Sequence, residues 1–287
     1  IFNLGDIIIP TNIPQVYLYQ WAYAVYPETG VWERMNLLSY LRRWIKVKLI
    51  KKNIHRPTII IAQTSNIKKR LENQYGLENI VLIPNAVSIE NIRMNSLRDF
   101  NLPKDRVKLV YVTNWADHKN IGIIIPLALE ISRQKLPYCV VVTIDPNQKK
   151  DAKRFLRKVR QLDLGNIVKN VGRVPMQDIG SLYNQCDALL MPTLLESYGL
   201  PYIEALYHSK TILTSDMDFA HDVCGEAAFY FNPEDHEDIL RKIIEAAENK
   251  SLREEKIKIG RDRISDLLTW EQVFEKYQTL LKETLQK

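Results

Sequence analysis

At 287 residues the chain is long for one core and fits two domains of ordinary size. With 46% hydrophobic and 26% charged residues it is neither a disordered nor a fibrous chain. Cys139, Cys186 and Cys224 lie far apart, with no CxxC and no histidine at zinc-ligand spacing, which excludes a disulfide framework and leaves a reducing compartment as the expectation. No apolar run approaches the roughly 18 residues of a membrane span. Nothing resembles a signal peptide. Residue 1 is Ile, so the chain is expected to begin inside a longer protein.

The net charge of +6 is uneven. Eight basic residues fall between Glu33 and Arg56 against Glu33 alone, so this segment carries +7 and the remainder sums to −1. The charge reads as the property of one element, and a general nucleic-acid surface is not expected.

In chain order, strands are expected near Asp6–Ile9 and Val16–Tyr19, then a long helix from Glu33 to Ile54, a strand at Thr58–Ala62, a helix at Asn66–Gln74 and a strand at Ile80–Ile83. Pro84-Asn85-Ala86 closes this unit, and Ser88–Arg106 reads as a linker. Six further strands are expected at Val107–Thr113, Tyr138–Ile144, Ile167–Val171, Asp187–Met191, Thr211–Thr214 and Ala227–Tyr230. Crossover helices at Asn120–Arg133, Gln148–Gln161, Met176–Asn184 and Leu200–Tyr207 separate them, and Asp235–Glu248 follows. Such alternation makes a doubly wound parallel sheet whose ligands bind at the carboxyl ends of the strands. Two last helices open with capping boxes, Ser251 with Glu254 and Thr269 with Gln272.

The sharpest motif is Glu196-Ser197-Tyr198-Gly199-Leu200-Pro201-Tyr202-Ile203-Glu204. Pro201 suits a first helical turn, Gly199 allows close backbone approach, and the free amides of a helix start favour an anion. Glu196 and Glu204 can face one crevice or can simply be acids complementing the helix dipole. Lys119 follows the first strand of the same unit, where a lysine can neutralise a phosphate. A solvated lysine would be poorly placed at a positive helix end.

These residues resemble the E-x7-E signature of retaining GT-B glycosyltransferases, family 4 in particular. The similarity extends to Pro84-Asn85-Ala86, the Lys119 loop, Val171-Gly172-Arg173-Val174 and Cys224-Gly225-Glu226-Ala227-Ala228. The resemblance implies an α/β, GT-B-like fold of two Rossmann-like domains facing across a cleft, the first incomplete. Residues 1–97 with a closing helix at 270–287 would form the acceptor side, and 98–269 the nucleotide-sugar domain. It implies that Lys119 and the amides of Gly199 and Leu200 contact the diphosphate and that Glu204 binds the ribose. Glu196 would face the donor sugar, and the backbone at Arg173 and Val174 the base, with Ser197, Tyr198 and Asn114 beside the donor. The family usually has an arginine where Asn114 stands and often a histidine where Gln20 stands on the acceptor side. The glycine-rich loop of the usual first domain has no counterpart.

The activity implied is sugar transfer from a UDP-, GDP- or ADP-sugar to an acceptor alcohol with retention, in bacterial surface-polysaccharide or glycolipid assembly. No metal or other cofactor is expected. Asp216-Met217-Asp218 reads as a loop or cap rather than a cation site. A GT-B-fold nucleotide-sugar epimerase and a non-catalytic sugar-nucleotide-binding scaffold remain the alternatives. The expected location is cytoplasmic, peripheral on the inner face of the plasma membrane. Leu37, Leu38, Leu41, Trp44, Ile45 and Leu49 share one helical face, flanked by Arg42, Arg43 and Lys46. That face fits either burial in the protein or an anionic lipid surface. The aromatic run Tyr17, Tyr19, Trp21, Tyr23, Tyr26 is expected to pack, with sugar stacking as the alternative. These 287 residues are expected to bind a nucleoside diphosphate but to transfer little or no sugar, and an upstream segment of roughly 80–100 residues is expected to complete the first domain and restore activity.

Overall fold

Every strand pairing among the described residues is parallel, the arrangement expected when β-branched runs alternate with helices. The computed structural model describes residues 1–86, 96–265 and 267–285, and the chain divides into two compact units. The first comprises Ile1–Val87, Leu195–Tyr198 and Leu267–Lys287, and the second Ser88–Leu194 and Gly199–Asp266. The expected linker lies outside the described residues up to position 95, and residues 96–106 have no regular structure.

The first unit begins with β1 (Phe2–Asn3), β2 (Val16–Tyr19), the helix α1 (Leu37–Asn53), β3 (Ile59–Ala62), α2 (Ser65–Tyr75) and β4 (Ile80–Leu82), its strands lying in chain order across one sheet. Asn36 accepts a hydrogen bond from the Ser39 amide to start α1, four residues later than expected from Glu33. Thr64 caps α2 in the same way, and Gly76, with φ of 62°, ends it.

The strand expected at Asp6–Ile9 is absent. The Gln15 side chain pairs with the Ile9 amide and carbonyl, and Asn3 Nδ2 donates to Ile7 O. These side chains satisfy the backbone that a strand neighbour would otherwise have paired. Tyr17, Tyr19, Tyr23 and Tyr26 are all buried, so packing accounts for most of the aromatic run.

The second unit is a six-stranded sheet in the order β10-β9-β8-β5-β6-β7. Its strands are β5 (Val107–Tyr111), β6 (Tyr138–Val142), β7 (Val168–Asn170), β8 (Ala188–Met191), β9 (Thr211–Ser215) and β10 (Ala228–Phe231). The intervening helices are α3 (Ile124–Arg133), α4 (Lys150–Gln161), α5 (Met176–Asn184), α6 (Leu200–Tyr207) and α7 (Asp218–Cys224), followed by α8 (His236–Glu248) and α9 (Lys250–Ser265). A 3-10 turn at Ile121–Ile123 replaces the expected first turn of α3, and another at Asp117–Lys119 precedes it. Helix α7 is unanticipated: Asp218, expected in a loop or cap, opens its first turn behind the N-cap residue Met217. The start of α9 is capped by Asn249, whose Oδ1 accepts from the Leu252 amide, so Ser251 lies inside the helix and forms no capping box.

The last helix, α10 (Trp270–Leu285), returns to the first unit. Thr269 and Gln272 cap it reciprocally, the Thr269 amide donating to Gln272 Oε1 and the Gln272 amide to Thr269 Oγ1. Val273 and Leu280 pack with Val16 and Leu18 of β2 and Ile61 of β3 in one buried cluster.

Candidate functional site

The second unit reverses its winding between β5 and β8, and ligands of such sheets collect beyond the carboxyl ends of the strands near that point. A cavity of about 550 Å³ lies there, walled by Asn114 and Lys119 after β5, Thr143, Asp145 and Gln148 after β6, and Arg173 and Val174 after β7. Four residues singled out in the sequence, Asn114, Lys119, Arg173 and Val174, therefore line one cavity. Thr143, Asp145 and Gln148 were not anticipated. Their position just past a buried apolar strand was the signal available.

Backbone hydrogen bonds fix the Lys119 loop. Tyr111 Oη donates to Lys119 O at 2.8 Å, while the Leu194 amide and Thr193 Oγ1 donate to His118 O at 2.8 and 3.0 Å. Asn120, in the left-handed region with φ of 51°, donates from Nδ2 to Pro233 O. The loop is thus anchored to β5, to the end of β8 and to the chain after β10. Across the cavity, Asn170 accepts from the Ile144 and Gly172 amides and holds the turn that carries Arg173. Gln148 Oε1 accepts from the Trp115 amide and joins the loops after β5 and β6.

Glu204 lies inside α6, only 9% exposed, and its Oε2 accepts a hydrogen bond from Tyr183 Oη at 3.1 Å. Burial pushes its carboxyl above the ordinary value, and the Tyr183 bond partly opposes that shift. Tyr183 is fully buried on α5, one turn beyond Ile179, which lines the cavity, and its ring stacks on His208. Tyr183 was also missed, since 21 residues separate it from Glu204. Gly199 caps α6 with φ of 79°, and a Cβ there would meet the Tyr202 ring at 2.7 Å. Only glycine supplies both that backbone and that clearance.

The remainder of the motif divides differently. Glu196, Ser197 and Tyr198 belong to the first unit, where Tyr198 Oη donates to Asn85 O at 3.0 Å. Gln20, also in the first unit, is exposed directly after β2. Among the described residues no three His, Cys, Asp or Glu side chains gather as a metal cluster. Asp216 instead pairs with His221 Nε2 at 2.6 Å.

Among the described residues nothing covers the apolar face of α1: Leu37, Leu38, Leu41, Trp44, Ile45 and Leu49 are each 40% or more exposed. Arg42 is exposed beside it. Arg43 lies over the Tyr23 ring, and Lys46 pairs with Asp6 over Trp21, so both turn toward the first unit's aromatic cluster. No described helix is long and apolar enough to cross a membrane.

Comparison with known proteins adds the lineage. The profile of the family described as Glycosyl transferases group 1 matches residues 93–263. The O-antigen chain mannosyltransferase RfbU of Salmonella typhimurium is 24% identical over 65% of this chain and 50% of its own length. The serotype-specific mannosyltransferase WbdA of Escherichia coli is 29% identical over 54% of this chain and 19% of its own. The chain thus matches about half or less of these curated relatives' length. Among solved structures, sucrose-phosphate synthase from Thermosynechococcus elongatus has a TM-score of 0.77 at 18% identity, covering 96% of this chain and 69% of that one. Anabaena HepE in complex with UDP-glucose has a TM-score of 0.71 at 16% identity, covering 94% and 72%. The fold is that of the GT-B glycosyltransferases.

Proposed function

We propose that this chain, which belongs to the family of glycosyl transferases group 1, is part of an enzyme that moves a sugar from a nucleoside diphosphate to an acceptor alcohol with retention, in the assembly of a bacterial O-antigen or related surface polysaccharide. One observation carries this reading: a cavity beyond β5, β6 and β7 is walled by Lys119, Asn114 and the Arg173–Val174 turn, and the same unit holds the buried Glu204 carboxylate. The mannosyltransferases of O-antigen chains among its relatives support the setting.

In this reading the second unit holds the donor. Lys119 and the Gly199 and Leu200 amides at the start of α6 stabilise the charge that develops on the departing diphosphate, fixed dipoles doing so without a cation. Glu204 accepts both vicinal ribose hydroxyls, and the backbone at Arg173 and Val174 meets the base. Glu196 addresses the donor sugar, with Ser197 and Tyr198 beside it, and Gln20 hydrogen-bonds the acceptor.

Calorimetry with UDP, GDP and ADP tests the site. Lys119→Ala and Glu204→Ala are each expected to weaken nucleotide binding about 10–100-fold, and Glu196→Gln to spare binding while damaging transfer. Unchanged affinity in both alanine variants would remove the assignment.

The exposed apolar face of α1, ending in Lys48, Lys51 and Lys52, supports docking on anionic lipid at the cytoplasmic face of the plasma membrane. Flotation with phosphatidylglycerol vesicles should be lost at high salt and in an Arg42→Glu/Lys51→Glu/Lys52→Glu variant. Binding indifferent to both would overturn this part.

A further inference from the structure

Seven of the twelve residues from Lys149 to Arg160 are basic, and Asp151 alone is acidic. The arithmetic of the whole chain hides this charge, because acids elsewhere in the second unit cancel it. At 100° per residue the basic positions sweep about half the circumference of α4, while Ala152, Phe155 and Val159 are buried on the other side. All seven basic side chains are exposed. Among the described residues, Arg154 alone of the seven has an acid partner within 4.0 Å, Asp151 at 3.1 Å.

Between α4 and the edge strand β7 lies a groove of about 830 Å³, lined by Lys150, Lys153, Arg157 and Arg160 on one side and by Val168 and Asn170 on the other. None of its lining residues lines the cavity at Lys119.

Three physical features define what this groove fits. Like charges one turn apart, such as Lys153 with Arg157 and Arg154 with Lys158, oppose helix formation. The helix is therefore least favourable with its charge unanswered, and an anion laid along it relieves the repulsion. No large apolar or aromatic side chain is exposed within α4. It offers neither the inserting face that α1 has nor the stacking platforms that single-stranded nucleic acid uses. What remains is a row of guanidinium and ammonium groups beside a groove, which matches clustered phosphates.

We propose that the groove between α4 and β7 binds a phosphate-rich anion, a lipid head group or a soluble oligophosphate, independently of the cavity at Lys119. This inference does not rest on the glycosyl-transfer reading.

The test uses the whole chain carrying Lys119→Ala, so that the cavity contributes little to phosphate binding. Inorganic triphosphate is titrated calorimetrically, and vesicles of phosphatidylglycerol in phosphatidylcholine are co-sedimented in a background that also carries the α1 charge swap. Adding Lys153→Glu/Arg157→Glu/Arg160→Glu is expected to weaken binding at least 10-fold in one arm or both. Loss in the triphosphate arm marks a soluble ligand, and loss in the vesicle arm a lipid head group. A Lys153→Gln/Arg157→Gln/Arg160→Gln variant is expected to show a smaller loss with the same melting curve, separating charge from folding. Binding equal to the parent in both arms would overturn the proposal. So would tighter binding of a single-stranded RNA lost in the same variants, which would replace the ligand class.

Discussion

Glu204 combines two demands on a single carboxyl. Burial among α6 and α5 raises its pKa above the ordinary value, while Tyr183 supplies one hydrogen bond to the charged form. A carboxyl whose folded-state pKa is raised adds stability below the unfolded value, near pH 4.5, and loses it as pH rises through the elevated folded value. Above the unfolded value this carboxyl therefore burdens the unliganded fold, because burial disfavours its charged form. Glu204→Gln is expected to raise the melting temperature at pH 7, with the gain shrinking toward pH 4, while nucleotide affinity falls about 10-fold. Paired melting curves and titrations check both signs. The spacing between Glu196 and Glu204 was legible in the sequence because both lie in one continuous stretch of chain. Tyr183 was not, because only the packing of α5 on α6 brings it to the carboxylate. Thr143, Asp145 and Gln148 were hidden for a similar reason: a strand end predicts that some residues face the ligand edge without saying which.

At the scale of elements, the second unit was the more readable. Its strands β6, β8 and β9 are buried throughout, so they appear as continuous apolar runs such as Cys139–Val142, and the ends of all six fall within about two residues of the expected positions. Runs alone mislead where side chains compete for the backbone. Ile7-Ile8-Ile9 looks like a strand, yet only Ile8 is buried and Gln15 takes the Ile9 backbone. Helix α7 escaped notice because its seven residues span only two turns and its N-cap residue, Met217, makes no side-chain capping bond. The contact of α10 with β2 and β3 gives a measurable element. Leu280 is 8% exposed in that cluster, and Leu280→Ala is expected to cost about 2–4 kcal/mol. Urea denaturation followed by the fluorescence of Trp21 and Trp32 should report this loss in the first unit. A second helix contact is equally tight: a Cβ on Gly260 of α9 would stand 2.6 Å from Leu206 Cδ2 on α6. Gly260→Ala is therefore expected to destabilise the fold by about 1–3 kcal/mol, despite the better helix propensity of alanine.

For the whole molecule, net charge proved the least informative number. A total of +6 conceals two separated basic helices of different character, one beside an exposed apolar face and one with charge alone. The division into units has a consequence of another kind. The second unit is continuous in sequence except for Leu195–Tyr198, whereas the first needs α10 to close over β2 and β3. During synthesis, the sheet from β5 to β10 can therefore assemble as soon as α9 has cleared the ribosome tunnel. Val16, Leu18 and Ile61, made long before, must wait for Val273 and Leu280. Until those two residues emerge, part of that apolar surface is a client for chaperones, and the chain's last helix becomes the step that decides whether the first unit matures or aggregates.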